Sequence, residues 1–148
     1  MGNWSDATLS TTTSIAKIET EINSLTNSTQ ADKIALAKEI LGDEVELALI
    51  DSKYKDSIDL SDNEDYKDLV ANPTVFNLSS DYMVLKLIFE DLCGGNEESN
   101  YFGKYKLYAK KFDLQFQKDM QRINISTDLD STAEEYAKDI TRFGRIIR

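Results

Sequence analysis

Histidine is absent from the 148 residues, and cysteine occurs once, at Cys93. The first absence excludes Ser–His and Cys–His catalysis, histidine metal ligation and any histidine-based pH switch. The second excludes an internal disulfide and a multi-thiolate zinc site. Basic charge is scarce: 17 Lys and Arg face 27 Asp and Glu, giving a net charge of −10 and a pI near 4.5. A broad nucleic-acid surface needs a basic face, so this balance argues against one. Long apolar runs are also missing. The strongest, Met83 to Phe89, is interrupted by Lys86 and is far too short to span a bilayer, so no membrane association is expected. Residues 1–13 are polar, with no cationic n-region, no apolar h-region and no convincing acylation signal at Gly2; the expectation is synthesis in a reducing cytoplasm.

Breakers are few as well, with one proline and six glycines, which favours long helices. What is present is an ordinary globular composition, 41% apolar and 30% charged, of one-domain size. Ile15, Ile18, Ile22 and Leu25 recur at steps of three and four and predict a helix from about Ser10 to Thr26. Asn27-Ser28-Thr29 supplies a break and an N-cap. A second helix is predicted from about Gln30 to Tyr54, turning Ile34, Ala37, Leu41, Ala48 and Val45 or Leu49 inward; Gly42 inside it marks either a bend or a break. Residues 43–68 hold ten carboxylates against three lysines and read as a solvated helix face and loop, with a short helix around Glu64 to Ala71.

Asn72-Pro73 reads as a helix start, Asn as the cap and Pro in the first turn. That helix is expected to reach Cys93, apolar on most sides over its second half and therefore central in a bundle. Gly94-Gly95 ends it with a left-handed cap. A further helix from about Glu98 to Arg122 carries an aromatic stripe, Tyr101, Tyr105, Tyr108, Phe112 and Phe116, with lysines on other faces. The stripe follows helical period and so belongs to a core rather than to a base-stacking platform. Ile123 and Ile125 read as a short extended piece. Ser131 to Glu134 has the form of a capping box and starts a last helix to about Arg142.

Candidate chemistry is thin. Asp128, Asp130, Glu134, Glu135 and Asp139 look like a calcium loop, but Ala133 and Asp139 stand where an EF-hand needs Gly and Glu, and capping already explains the acids. Cys93 has no histidine partner and lies beside a helix C-terminus, where the dipole disfavours a negative charge; it reads as a buried structural cysteine. No catalytic pair, phosphate-cradling loop or dinucleotide fingerprint is present, so neither enzyme activity nor a cofactor or metal is expected. One asymmetry stands out: residues 1–100 hold 20 acids and 7 bases, residues 101–148 hold 7 acids and 10 bases. Arg142, Phe143, Arg145, Ile146, Ile147 and Arg148 mix arginine with large apolar groups, as interface anchors do. That tail either docks on a partner or packs back onto the helices. The expected fold is all-α: a single-domain bundle of four to five helices over residues 1–141 with an extended C-terminal interaction tail, 142–148.

The order of features resembles the head-to-tail connector (adaptor, or head-completion) proteins of tailed bacteriophages. The features are Trp4, a helix closing in Ile40-Leu41, an acidic helix-loop ending at Tyr54, the apolar segment Tyr82 to Phe89 and a Gly break. An aromatic–lysine helix, Tyr101 to Phe112, and the Asp128-Leu-Asp130 turn complete the order, with Ser131 where such turns often carry glycine. The resemblance implies a virion neck protein made in the host cytoplasm: a homo-oligomeric ring, typically of twelve copies, beneath the portal, extending the DNA channel and docking the tail or stopper. It implies that 142–148 dock into the portal protein. About twelve copies would carry on the order of −120 in charge, which keeps passing DNA from sticking to the channel wall. Candidate channel or rim acids are Asp43, Glu44, Glu46, Asp51, Asp56, Asp59, Asp62, Glu64, Asp65 and Asp68. The alternative is a small acidic helical regulator or inhibitor that binds a basic protein partner.

Overall fold

In the computed structural model, residues 3–22, 30–50 and 66–124 are described; the helix expected at 131–142 and the tail 142–148 lie outside them. The fold is all-α. Among the described residues there are five α-helices: α1 (Asn3–Asp6), α2 (Thr12–Ile18), α3 (Gln30–Ile50), α4 (Asn77–Cys93) and α5 (Phe102–Met120). Two 3-10 helices, Tyr66–Leu69 and Pro73–Phe76, complete the set. The chain divides into two compact units, one of Thr8–Leu41 and Phe76–Phe116, the other of Met1–Ala7, Gly42–Val75 and Gln117–Arg148.

In the first unit α4 is the centre. Met83, Val84, Leu85, Ile88 and Phe89 are all buried, as expected of a helix apolar on most sides over its second half. Each such side chain contributes roughly 1.5–3 kcal/mol by leaving water. Helix α2 packs on α4 and inserts Ile15, which is fully buried. Its start is a capping box: Thr11 Oγ1 accepts from Ser14 N at 3.0 Å, and Ser14 Oγ accepts from Thr11 N at 2.9 Å. The helix stops at Glu19, whose backbone turns extended, well short of the expected Thr26. Helix α5 lays its aromatic stripe on α4. Phe89 stacks with Tyr108 at 5.8 Å between centroids and meets Tyr101 at 5.9 Å, while Tyr82 stacks with Tyr108 at 6.1 Å. Phe116 stacks with both Phe112 and Phe76. Tyr108 and Phe112 of the stripe are buried in the core, while Tyr101, Tyr105 and Phe116 are half-buried at its edge. Helix α4 ends where expected, with Gly94 at φ 56° and Gly95 at φ 79°, a region that only glycine enters at no cost.

The second unit explains Gly42. Helix α3 passes through it unbroken, because the residue makes room for a side chain rather than a bend. A Cβ there would lie 2.9 Å from the Trp4 indole nitrogen and 3.2 Å from Lys67 Cδ. Trp4 is buried on that spot, and α1 packs on the 3-10 turn Tyr66–Leu69. Inward residues of α3 fall as predicted for Ala37, Leu41, Val45 and Leu49, all buried, whereas Ile34 and Ala48 are half-buried.

Asn72 does not cap the following helix. Its side-chain oxygen accepts from Asn124 N at 2.8 Å, and its amide nitrogen donates to Arg122 O at 3.0 Å. Ala71 N donates to Asn124 O at 2.8 Å, completing a clasp on residues 122–124. Pro73 consequently opens a 3-10 turn, and α4 starts at Asn77 without a side-chain cap.

Candidate functional site

Two polar joints, one of them buried and the other part-buried, lie in the Thr8–Leu41 and Phe76–Phe116 unit, and sequence reading assigned neither. In the first, Ser14 Oγ donates to Asp81 Oδ1 at 2.8 Å and Ser10 Oγ donates to Ser80 Oγ at 2.6 Å. Burial pushes the Asp81 carboxyl above its usual range, and hydrogen bonds from Ser10 and Ser14 oppose that rise without cancelling it. The joint fastens the start of α2 to α4. In it Ser10 and Ser14 act as donors, and the Ser80 hydroxyl and the Asp81 carboxylate as acceptors.

The second joint forms around Glu19, at the residue where α2 stops. Lys104 Nζ donates to Glu19 Oε2 at 2.7 Å, and the Tyr108 hydroxyl donates to the same oxygen at 2.8 Å. Burial alone would raise the Glu19 carboxyl; the two hydrogen bonds and the Lys104 charge outweigh it and hold the group below the usual range. Burial, with Glu19 beside it, drives the Tyr108 phenol well upward, so it stays a donor. Lysines also roof the neighbouring rings: Lys111 Nζ sits 5.6 Å from the Tyr82 centroid and 5.7 Å from that of Tyr108.

The predicted acids divide. Asp43 and Glu44 stand exposed on α3. Glu46 instead holds the fold together. Its two carboxylate oxygens accept from Tyr66 N at 2.9 Å and Lys67 N at 2.8 Å, fixing the start of the 3-10 turn. Asp68 is half-buried within that turn. Asp51, Asp56, Asp59, Asp62, Glu64 and Asp65 lie outside the described residues, as do the docking candidates Arg142, Phe143, Arg145, Ile146, Ile147 and Arg148. The Asp128–Asp139 acids lie outside them too. Among the described residues no group of three His, Cys, Asp or Glu could hold a metal ion, and no helix is long and apolar enough to cross a membrane. Cys93 is buried, its thiol donating to Glu90 O at 3.3 Å, as a structural cysteine would be.

What sequence reading missed on the surface is a set of exposed leucines. Leu47 on α3 and Leu107 and Leu114 on α5 are 57%, 44% and 53% exposed. Their signal was present in the spacing, since Leu107 and Leu114 fall off the aromatic stripe by most of a half-turn. No protein-family model, curated protein or solved structure matches this chain.

Proposed function

We propose that the chain is a structural assembly subunit of the tailed-phage connector kind, one copy in a ring beneath a portal vertex that extends the DNA channel and docks the tail or stopper. The observation that carries this reading is the distribution of charge. A chain with a net charge of −10 gathers its acids in the first hundred residues and ends in an arginine–isoleucine tail without an acid. Like charge around a channel repels DNA, and a cationic apolar tail suits docking into a partner. The exposed Leu47, Leu107 and Leu114 offer this reading apolar side chains for contacts between copies. No cofactor enters the proposal. Sedimentation of lysate from the native source tests it. The chain is expected to travel with megadalton particles and to stay with them through moderate salt. A chain that remains near the top as a small species overturns the reading in favour of an acidic regulator of a basic protein.

A further inference from the structure

Two helix faces stand uncovered among the described residues, and they carry opposite charge. On α5, Leu107 and Leu114 lie one above the other at a spacing of seven, and the exposed Lys110 and Lys111 sit between them at i+3 and i+4 from Leu107. All four belong to the Thr8–Leu41 and Phe76–Phe116 unit. On α3, Asp43, Leu47 and Ile50 follow at steps of four and three and share one face, with Glu44 one turn before Leu47. All four are exposed, and they belong to the other unit. Leu47 is the most exposed large apolar side chain among the described residues.

The two faces have the same plan, a pair of aliphatic side chains at a spacing of seven or three flanked by two charges of one sign. Neither face fits itself. A two-fold contact would set lysine on lysine or acid on acid, and like charges juxtaposed in an interface are strongly disfavoured. Each fits the other: leucine covers leucine, and Lys110 and Lys111 meet Asp43 and Glu44. Lys110 and Lys111 have no ion-pair partner among the described residues, and Lys111 is steered by the two tyrosine rings beneath it.

We infer that the α3 face of one copy, Asp43, Glu44, Leu47 and Ile50, docks on the α5 face of the next copy, Leu107, Lys110, Lys111 and Leu114. The contact is heterologous, so it propagates and closes into a ring or continues as a filament according to the rotation between copies. Its biological setting rests on the assembly reading above, whereas its physical ground is the match of charge and apolar side chains.

Analytical ultracentrifugation of the full chain over a concentration series reaching about 1 mM tests the pairing, because a small charged contact of this kind is weak and salt-sensitive. The wild type is expected to self-associate at low ionic strength and to dissociate as salt is added. Asp43→Lys/Glu44→Lys and Lys110→Glu/Lys111→Glu should each weaken association by more than about tenfold. Mixed in equal amounts, the two variants should recover it, since each then meets an opposite charge at both faces. Glu97→Lys/Glu98→Lys makes the same change in net charge as the α3 variant, at exposed residues away from both faces, and should associate as the wild type does. Circular dichroism confirms that each variant is helical.

A wild type that is monomeric throughout overturns the pairing. So does a charge variant that associates normally, a mixture that fails to recover, or a control that weakens equally. Loss of association on deleting residues 142–148, with both charge variants unaffected, also overturns it and makes that tail the occupant. Co-sedimentation with large particles is read separately. Pairing without particle association removes the connector reading alone, and particle association without pairing removes this inference alone.

Discussion

Gly42 shows how a single residue is chosen against its own secondary structure. In a helix interior glycine costs about 0.5–1 kcal/mol relative to alanine, yet the added methyl would fall within 2.9 Å of the buried Trp4 ring. Overpacking of that kind costs typically 1–3 kcal/mol, so the clash exceeds the gain in propensity. Gly42→Ala is expected to lower stability by roughly 0.5–2 kcal/mol and to shift Trp4 fluorescence to the red as the indole is displaced. Gly103 provides the opposite case: it lies in α5 with nothing within 4 Å of its added Cβ, so Gly103→Ala should raise stability by about 0.5–1 kcal/mol. Denaturant unfolding of both variants decides the matter, and a stabilised Gly42→Ala would refute the close approach. Asp81 is a second residue whose environment opposes it. Its carboxyl is raised in the folded chain by burial, so the folded state takes up a proton before the unfolded chain does. Stability from this group therefore rises as pH falls from neutrality and levels off below the unfolded value of about 3.9. Asp81→Asn keeps an oxygen for Ser14 and removes the buried charge. It should be more stable than the wild type at neutral pH, by up to about 1 kcal/mol, with the difference closing in acid.

At the scale of elements, the boundaries that sequence spacing placed well are those whose cause is local. Helix α4 is apolar on most sides over its second half because its own residues are, and Gly94-Gly95 stops it with no help from elsewhere. The boundaries it misplaced have distant causes. Glu19, at which α2 ends, is held by Lys104, 85 residues away, and by Tyr108, 89 away. Asn72 has the composition of a cap but is spent on residues 122 and 124, a pairing that no local pattern encodes. The candidate acids follow the same rule: charge was visible in the run 43–68, but the hydrogen bonds that make Glu46 structural reach 20 and 21 residues ahead. Glu19→Gln tests the first of these causes. The Glu19 carboxyl is held low in the folded chain, so its contribution is present above the unfolded pKa of about 4.3 and is lost as pH falls through the lower folded value. The variant should lose about 1–2 kcal/mol at neutral pH, the partial exposure of Lys104 keeping the figure modest. Urea titrations at neutral pH and in acid should show the gap closing below about pH 4. Asn72→Ala should cost about 2 kcal/mol, two hydrogen bonds at roughly 1 kcal/mol each, and should speed amide exchange at Asn124.

For the whole molecule the governing quantity is net charge. At −10 the chain repels itself, and screening acts on that repulsion as well as on the ion pairs that oppose it. Among the described residues those pairs include Lys33–Asp91 and Lys104–Glu19, each with one partner well exposed to solvent. Exposed pairs contribute less than about 1 kcal/mol each, and a partly buried carboxylate such as Glu19 is little affected by salt. An excess of ten acids spread over a small protein therefore outweighs what salt removes from the pairs. Raising ionic strength from about 0.01 M to about 0.15 M shortens the Debye length from roughly 30 Å to 8 Å, which is enough to silence repulsion between opposite sides of the chain. The melting temperature of the dilute protein should rise with salt by a few degrees, on the order of 1 kcal/mol for a chain of this size. Self-association through the proposed α3–α5 contact should fall over the same range, because that contact would join opposite charges. The two trends run in opposite directions only if the acids repel within a copy while α3 and α5 attract between copies. Calorimetry at low concentration and sedimentation at high concentration, in matched buffers, separate them. A melting temperature that falls as salt is added would mean that attractive pairs dominate within the chain and that the acid excess is already neutralised by the fold.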